Sequence, residues 1–300
     1  MVESLLNNLL PAEMLEQVFR LLPPRDLKMA VLVCSWWREV GEVPALWSWV
    51  TLKVSERNLV NTREVLNTRR MRAVRRLEVR AMLRPRARDE LEDLLQAIAK
   101  HQGLRELVLG DIDLSQVDER LLARAVTRVE VLDMYDASLT CLQATAVFAS
   151  IQEGTRLKVL NLVANNLSEV DSAVLGKSVA LLEEAYLSRT RLAPQQVEAI
   201  FEALGRCSHL RTLSLLGNNL SSVEANELAR EVNKLETADL RHTNLNSQQI
   251  SRVLRQSLVA TSLKQLHMGD RVQVDKELFL QARHVIPDLI VLGNKFFPFS

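Results

Sequence analysis

The sequence lacks the features that mark several large classes of protein. It has only 3 cysteines in 300 residues, and their odd number and wide spacing favour neither a disulfide framework nor a zinc cluster. No stretch approaches the roughly 18 uninterrupted apolar residues of a membrane-spanning helix. The N-terminus lacks the basic segment and apolar run of a signal peptide. We therefore expect a cytoplasmic or nuclear protein without a membrane segment.

The net charge is small, and the aromatic residues are few and unevenly placed. The formal net charge is only +1, so the whole molecule has no strong attraction to nucleic acid or acidic lipid. All 4 tryptophans fall between residues 36 and 49, and none follows. This uneven use predicts two regions, with a boundary near residue 50. We expect a small domain over residues 1–50, a linker or capping segment over 51–73, and a larger domain over 74–300.

The larger region consists of an internal repeat of the form L-x-x-L-x-L-x-x-N/T-x-L. Its copies begin at Leu104, Val129, Leu157, Leu182, Leu210, Leu235 and Leu263. These starts are alternately 25 and 28 residues apart, which gives a double unit of 53 residues. The ninth position is asparagine in one copy (Asn165, Asn218) and threonine in the other (Thr190, Thr243). A degenerate copy begins at Val74, and another is expected near Leu289.

This pattern is the leucine-rich-repeat signature, in which each unit forms a short strand and returns by a helix. One unit cannot bury its own leucines, whereas stacked units share a continuous core. Predicted capping residues mark the helix starts. They are Ser115, Ser168 and Ser221 with an acidic residue three positions later, Thr140 with Gln143, Asn246 with Gln249, and Pro194. The alternating long units resemble ribonuclease-inhibitor-like repeats, which implies an α/β horseshoe solenoid with a parallel concave sheet and outer helices.

The N-terminal region has the pattern of a compact bundle of short helices. Apolar residues from Met14 to Leu22 keep helical spacing after Pro11, and the pair Pro23–Pro24 ends that helix. Asp26 is predicted to open a second helix. About 40 residues bury too little surface to be stable alone, so this bundle should lean on the solenoid or on a partner.

The same region resembles an F-box. The resemblance rests on Leu10-Pro11-x-Glu13-x-Leu15, Val18-Phe19, Leu22, Asp26-Leu27, Val33-Cys34, Trp37-Arg38 and Leu46-Trp47. It implies binding to a Skp adaptor, which connects to a cullin–RING ubiquitin ligase. By resemblance, the candidate adaptor contacts are Leu10, Pro11, Leu15, Phe19, Leu22, Val33, Cys34 and Trp37. The alternative is a helical cap that only closes the end of the repeat core.

Alternation along each repeat strand predicts which side chains point out of the concave sheet. The second positions form a row of alternating charges from Arg105 to Lys264, interpreted as a surface ladder rather than a docking strip because the signs cancel. The residue type at the fifth, seventh and eighth positions differs from copy to copy, and these positions form the predicted target site. Tyr186 is placed there between strands that present Val163 and Leu216. The candidates are Tyr135, Val163, Tyr186, Arg189, Leu216 and Arg241.

Three further features of the sequence give weaker indications of function. His242 and His267 are expected near Asp239 and Asp270, but are interpreted as surface histidines because convergent metal ligands are lacking. An arginine-rich segment over 63–88 is either solvated linker charge or a site for an acidic or phosphorylated partner. The run from Phe296 to Phe299 is predicted to seal the last repeat, with folding onto a ligand surface as the alternative.

The leading functional prediction is a non-catalytic substrate-recognition subunit, with an F-box that binds a Skp adaptor and repeats that bind a target protein. No metal, cofactor or catalytic residue is expected. A repeat scaffold or inhibitor outside any ligase is the alternative. A GTPase-activating protein of the repeat type is a third reading, and a nucleic-acid binder is least favoured.

Overall fold

The computed structural model describes residues 10–48, 50–55, 59–79, 88–206, 209–269 and 274–292. The chain divides into two compact units, Met1–Val108 and Leu109–Ser300. The α-helices are α1 (Ala12–Arg20), α2 (Pro24–Ala30), α3 (Ser35–Gly41), α4 (Leu59–Leu66), α5 (Arg88–Lys100), α6 (Glu119–Val126), α7 (Cys141–Gln152), α8 (Ser172–Ala180), α9 (Pro194–Arg206), α10 (Ala225–Val232), α11 (Ser247–Ser257) and α12 (Lys276–Val285). The strands are β1 (Thr51–Val54), β2 (Arg76–Val79), β3 (Glu106–Val108), β4 (Val131–Asp133), β5 (Val159–Asn161), β6 (Glu184–Tyr186), β7 (Thr212–Ser214), β8 (Thr237–Arg241), β9 (Gln265–Gly269) and β10 (Asp288–Val291).

The first unit joins the N-terminal bundle to the first parallel strands. The segment 51–73, expected as a linker or cap, contains β1, α4 and a short 3₁₀ helix, Arg70–Ala73. Strand β1 pairs in parallel with β2, with Thr51 opposite Arg76, and β2 pairs with β3. The segment is therefore a strand–helix unit of the same kind as the later repeats, although it lacks their leucine pattern.

The second unit is a leucine-rich-repeat solenoid in which strands β4 to β10 pair in parallel and in chain order. A helix follows each of β4 to β9. The fourth repeat positions form one buried row across the sheet: Leu132, Leu160, Ala185, Leu213, Ala238, Leu266 and Leu289. The repeat expected near Leu289 therefore begins at Ile286, because Leu289 pairs with Leu266 and so occupies the fourth position.

A buried asparagine ladder connects successive repeats. The Oδ1 atom of Asn165 accepts hydrogen bonds from the amides of Ala137 and Leu139, at 3.2 and 3.1 Å. Its Nδ2 donates to the carbonyls of Met134 and Leu162, at 2.7 and 3.0 Å. One side chain thus satisfies backbone groups of two repeats that the turn after the strand leaves unpaired.

Capping differs between the two copies of the repeat. The predicted capping boxes at Thr140–Gln143 and Asn246–Gln249 are confirmed, and α9 begins at Pro194 as predicted. The prediction that Ser115, Ser168 and Ser221 open their helices is wrong. Those helices begin three residues later, because the side chains of Asp118, Asp171 and Glu224 accept the first free amides.

Three glutamines 53 residues apart bind neighbouring repeats together. The buried side chain of Gln143 donates to the carbonyls of Leu114 and Val117, both at 2.6 Å. Gln196 and Gln249 make the equivalent pairs of bonds one and two double units later. Among the described residues, no helix is both long and apolar enough to cross a membrane.

Candidate functional site

The N-terminal bundle is organised around a small core. Leu15, Phe19, Leu27, Leu46 and Trp47 are buried in it, and Trp36 and Trp37 pack partly exposed against it. The ring of Trp37 meets that of Phe19 edge to face, with centroids 5.4 Å apart. The indole N–H of Trp47 donates to the carbonyl of Gly41 at 2.8 Å. This core fixes the helices and thereby the side chains that they present outward.

The predicted adaptor contacts separate into three groups by burial. Leu10, Pro11 and Val33 are exposed, and Leu22, Cys34 and Trp37 are partly buried. Leu15 and Phe19 are 1% and 0% exposed. These two are corrected from contact residues to core residues, because a fully buried side chain offers a partner no surface. Their spacing identified the helix correctly but not the side of it that faces outward.

Apolar side chains that the sequence analysis did not select are exposed on the bundle. Leu10, Met14, Val18 and Leu21 follow helical spacing along α1, and we call them the α1 stripe. Met29, Leu32 and Val33 lie at the end of α2 and in the turn after it, and we call them the α2 turn. Leu21, Leu32 and Val33 are 85%, 64% and 60% exposed. Exposed apolar groups in this number mark an interaction surface.

A physical signal for the α1 stripe was present in the sequence. Apolar residues on α1 occupy a much wider arc than one core-facing stripe needs, since both Met14–Leu15 and Val18–Phe19 are adjacent pairs. Adjacent positions on a helix are about 100° apart, so both members of such a pair cannot face one small core. The excess apolar arc therefore indicated a second contact.

On the open face of the sheet, Tyr186 does not have the neighbours that were predicted. Its register partners are Asn161 on β5 and Ser214 on β7, whereas Val163 and Leu216 lie two positions further along. Its hydroxyl donates to Glu184 at 2.7 Å. Partial burial and this hydrogen bond raise the pKa of Tyr186 to about 12. The predicted apolar centre around Tyr186 is therefore a polar row instead.

Tyr135 is the more accessible aromatic side chain on this face. It is 41% exposed and follows β4, at the position equivalent to Val163 after β5. Its other neighbour is Gly110, which has no side chain to cover it. Arg189 is exposed in the left-handed backbone region, at φ 56°. Arg241 is held by both oxygens of Asp239, at 2.9 and 2.7 Å, so its charge is already neutralised.

The alternating charges at the second repeat positions do form a ladder. Lys158 pairs with Glu183 at 2.9 Å, and Glu236 pairs with Lys264 at 2.5 Å and with Arg211 at 3.6 Å. The hydrogen bond from Lys264 lowers the pKa of Glu236, and the bond to Glu183 raises the pKa of Lys158. These pairs are exposed, so each contributes little to stability. Their main effect is a row of paired charges beside the open face.

The next feature of this face is its histidines and their acidic neighbours. His267 contacts Asp288 at 3.3 Å, and Asp239 binds Arg241. Asp270 and the run from Phe296 to Phe299 lie outside the described residues. Within the described ranges, no group of three or more histidine, cysteine or acidic side chains is arranged to hold a metal ion.

Comparison with known proteins agrees with this architecture. A family model described as F-box-like matches residues 8–53. Leucine-rich repeat-containing protein 14 from Bos taurus is 31% identical over 147 residues, which cover 48% of this chain and 30% of that protein. The Homo sapiens protein of the same name matches equally over the same lengths. The matched segment thus spans less than a third of these relatives. The chain is one in which an F-box-like domain precedes leucine-rich repeats.

Proposed function

We propose that this protein is the substrate-recognition subunit of a ubiquitin ligase of the Skp–cullin–RING type. The F-box-like domain binds the Skp adaptor through the α1 stripe and the α2 turn. The repeats bind the target protein on the open face of their sheet. The protein supplies proximity by binding, and the chemistry of ubiquitin transfer belongs to its partners.

The observation that carries this proposal is the exposure of apolar side chains on the F-box-like bundle. Seven large apolar residues are at least 40% exposed within the span from Leu10 to Val33. Full burial of an exposed apolar side chain contributes about 1.5–3 kcal/mol, and a partner that covers these partly exposed side chains gains a share of that from each. An adaptor that covers the α1 stripe and the α2 turn therefore gains enough free energy for stable binding, after the cost of association is subtracted.

We expect the target to contact Tyr135 and Val163 rather than Tyr186, because they lie on the more accessible part of the sheet. Tyrosine is enriched at binding hot spots because it buries a large ring and keeps a polar group for hydrogen bonding. The ladder of paired charges frames this surface. A protein target with an apolar anchor residue fits such a surface.

Cysteine content supports the proposed compartment. The sequence has only 3 widely spaced cysteines, which favour no disulfide framework, and Cys34 caps α3 by accepting a hydrogen bond from the amide of Trp37 at 3.5 Å. Disulfides are rare in the cytoplasm and nucleus, where thiols stay reduced. We therefore place the protein in one or both of these compartments.

Adaptor binding should depend on the α1 stripe. We expect Val18→Asp to weaken the binding of a purified Skp adaptor by about 100-fold or more, because an unpaired charge buried in an interface costs several kcal/mol. Leu32→Asp in the α2 turn should act in the same direction. The measurement is the dissociation constant by isothermal titration calorimetry, with circular dichroism to confirm that each variant folds.

Arg20→Gln is the matched control on the same helix. It changes the net charge by the same amount as Val18→Asp, and its exposed side chain pairs with Glu16, at 2.7 Å. Helical spacing places it about 115° around the helix from the centre of the α1 stripe. It should leave the dissociation constant unchanged. Equal binding by wild type and Val18→Asp would point instead to the repeat scaffold that does not assemble a ligase.

A further inference from the structure

The arginine-rich segment divides into paired and unpaired members. Arg63 binds Asp93 at 2.9 Å, Arg70 lies 3.7 Å from Glu42, and Arg76 binds Glu106 at 2.5 Å. Among the described residues, Arg69, Arg72 and Arg75 have no carboxylate partner. The unpaired members are the ones available to an anion.

One of them, Arg72, lines a pocket of about 450 Å³ in the first unit. Lys100, at the end of α5, also lines it and has no carboxylate partner among the described residues. The remaining lining residues are Leu66, Asn67, Ala97, His101 and Gln102. Two cationic and two amide residues therefore line this space, and its described lining contains no carboxylate.

His101 fixes the two segments that carry these cations. Its Nδ1 accepts a hydrogen bond from the amide of Leu104 at 3.1 Å, so the ring proton lies on Nε2. That atom donates to the carbonyl of Met71, 2.9 Å away. The bond ties the residue before Arg72 to the residue after Lys100. The backbone of Gly103 also passes so close to Arg72 that an added Cβ would lie 2.2 Å from its carbonyl oxygen.

We propose that this pocket binds a phosphate group carried on a phosphorylated segment of a partner protein. Arginine suits two oxygens of a phosphate through parallel N–H donors, while lysine supplies a compact point charge. The amides of Asn67 and Gln102 offer further donors to the remaining oxygens. The site lies outside the α1 stripe, the α2 turn and the repeat sheet of the second unit, so it does not depend on the ligase role.

The balance of charge makes both cations necessary. Helices α4 and α5 end beside the pocket, and each C-terminus carries roughly half a negative charge. Two cations leave a net charge of about +1, and loss of either brings it to about zero. A phosphate monoester, with nearly two negative charges at neutral pH, is therefore attracted only while both cations are present.

The test uses the full chain and a short glycine-rich peptide with one central phosphoserine, followed by fluorescence anisotropy. The phosphopeptide should bind, and the same peptide with serine or glutamate in its place should bind at least about tenfold more weakly. Affinity should fall as the pH drops below about 6, because the phosphate then loses its second charge. Inorganic phosphate should compete only weakly, since it gains no contact from a peptide backbone.

Arg72→Gln and Lys100→Gln should each weaken phosphopeptide binding about tenfold or more. Arg75→Gln is the control, because Arg75 is also exposed and unpaired but does not line the pocket. The proposal is overturned if the two pocket variants bind like wild type or if Arg75→Gln loses as much affinity. The proposal is also overturned if inorganic phosphate displaces the labelled peptide at the same concentration as unlabelled peptide does. Adaptor binding is not part of this assay, so the two proposals fail separately.

Discussion

Replacing Asn165 with alanine should lower the free energy of unfolding by about 3–5 kcal/mol. The substitution removes the acceptor for the amides of Ala137 and Leu139 and the donor to the carbonyl of Met134. Asn165 is 2% exposed, so water cannot replace the lost partners without entering the core. Each buried group left without a partner costs about 1–3 kcal/mol. The change is measured by urea unfolding followed by circular dichroism.

The matched control is Thr243→Val, at the same ninth position of the other copy. Thr243 is equally buried, but its hydroxyl donates a single bond, to the carbonyl of Leu240 at 2.6 Å. That substitution should cost about 1 kcal/mol. If Asn165→Ala were as mild as Thr243→Val, the asparagine ladder would not be what joins the repeats.

A second large loss of stability is expected for Leu213→Ala. Leu213 is 0% exposed, and its neighbours in the buried row are Ala185 and Ala238. Small side chains on both sides cannot move in to fill the space of the lost leucine. The loss should therefore lie near the upper end of the range for such substitutions, at about 4–5 kcal/mol, because the cost grows with the remaining cavity.

Leu160→Ala provides the comparison within the same row. Its neighbours are Leu132 and Ala185, so one large side chain can relax toward the cavity. We expect a loss of about 2–4 kcal/mol, measured by the same unfolding experiment. A larger loss for Leu160→Ala than for Leu213→Ala would show that packing in this row is not governed by the alternation of leucine and alanine.

The repeat fold was predictable because it depends on period alone. A fixed spacing of leucines placed the strands in the correct order, and the buried row follows the fourth position from Leu132 to Leu289. Capping was predictable only in the threonine copy. In the asparagine copy, the sequence offers both a serine and a later acidic residue such as Asp171 as the helix cap, and nothing in the local sequence favours one over the other.

Surfaces were less predictable than the core. Spacing identified Leu15 and Phe19 as apolar helix positions, but only packing shows that they are interior and that the α1 stripe is exposed. Tyr186 lies on the open face, but its hydroxyl is bound to Glu184, and no periodicity encodes that bond. The strand over Thr51–Val54 was missed because it lacks the leucine pattern and is recognised only by its pairing with β2.

The most direct measurement of the central claim is a paired affinity purification from cells, with bound proteins identified by mass spectrometry. The intact protein should recover a Skp adaptor, a cullin and one or more target proteins. Val18→Asp should lose the adaptor and the cullin but keep the targets, because the α1 stripe and the sheet face serve different partners. Tyr135→Ala should keep the adaptor and lose most of its targets, since a hot-spot tyrosine contributes about 2 kcal/mol or more. If Val18→Asp retained the adaptor and cullin at the level of the intact protein, the account of this molecule as a ligase receptor with separate adaptor and target surfaces would be contradicted.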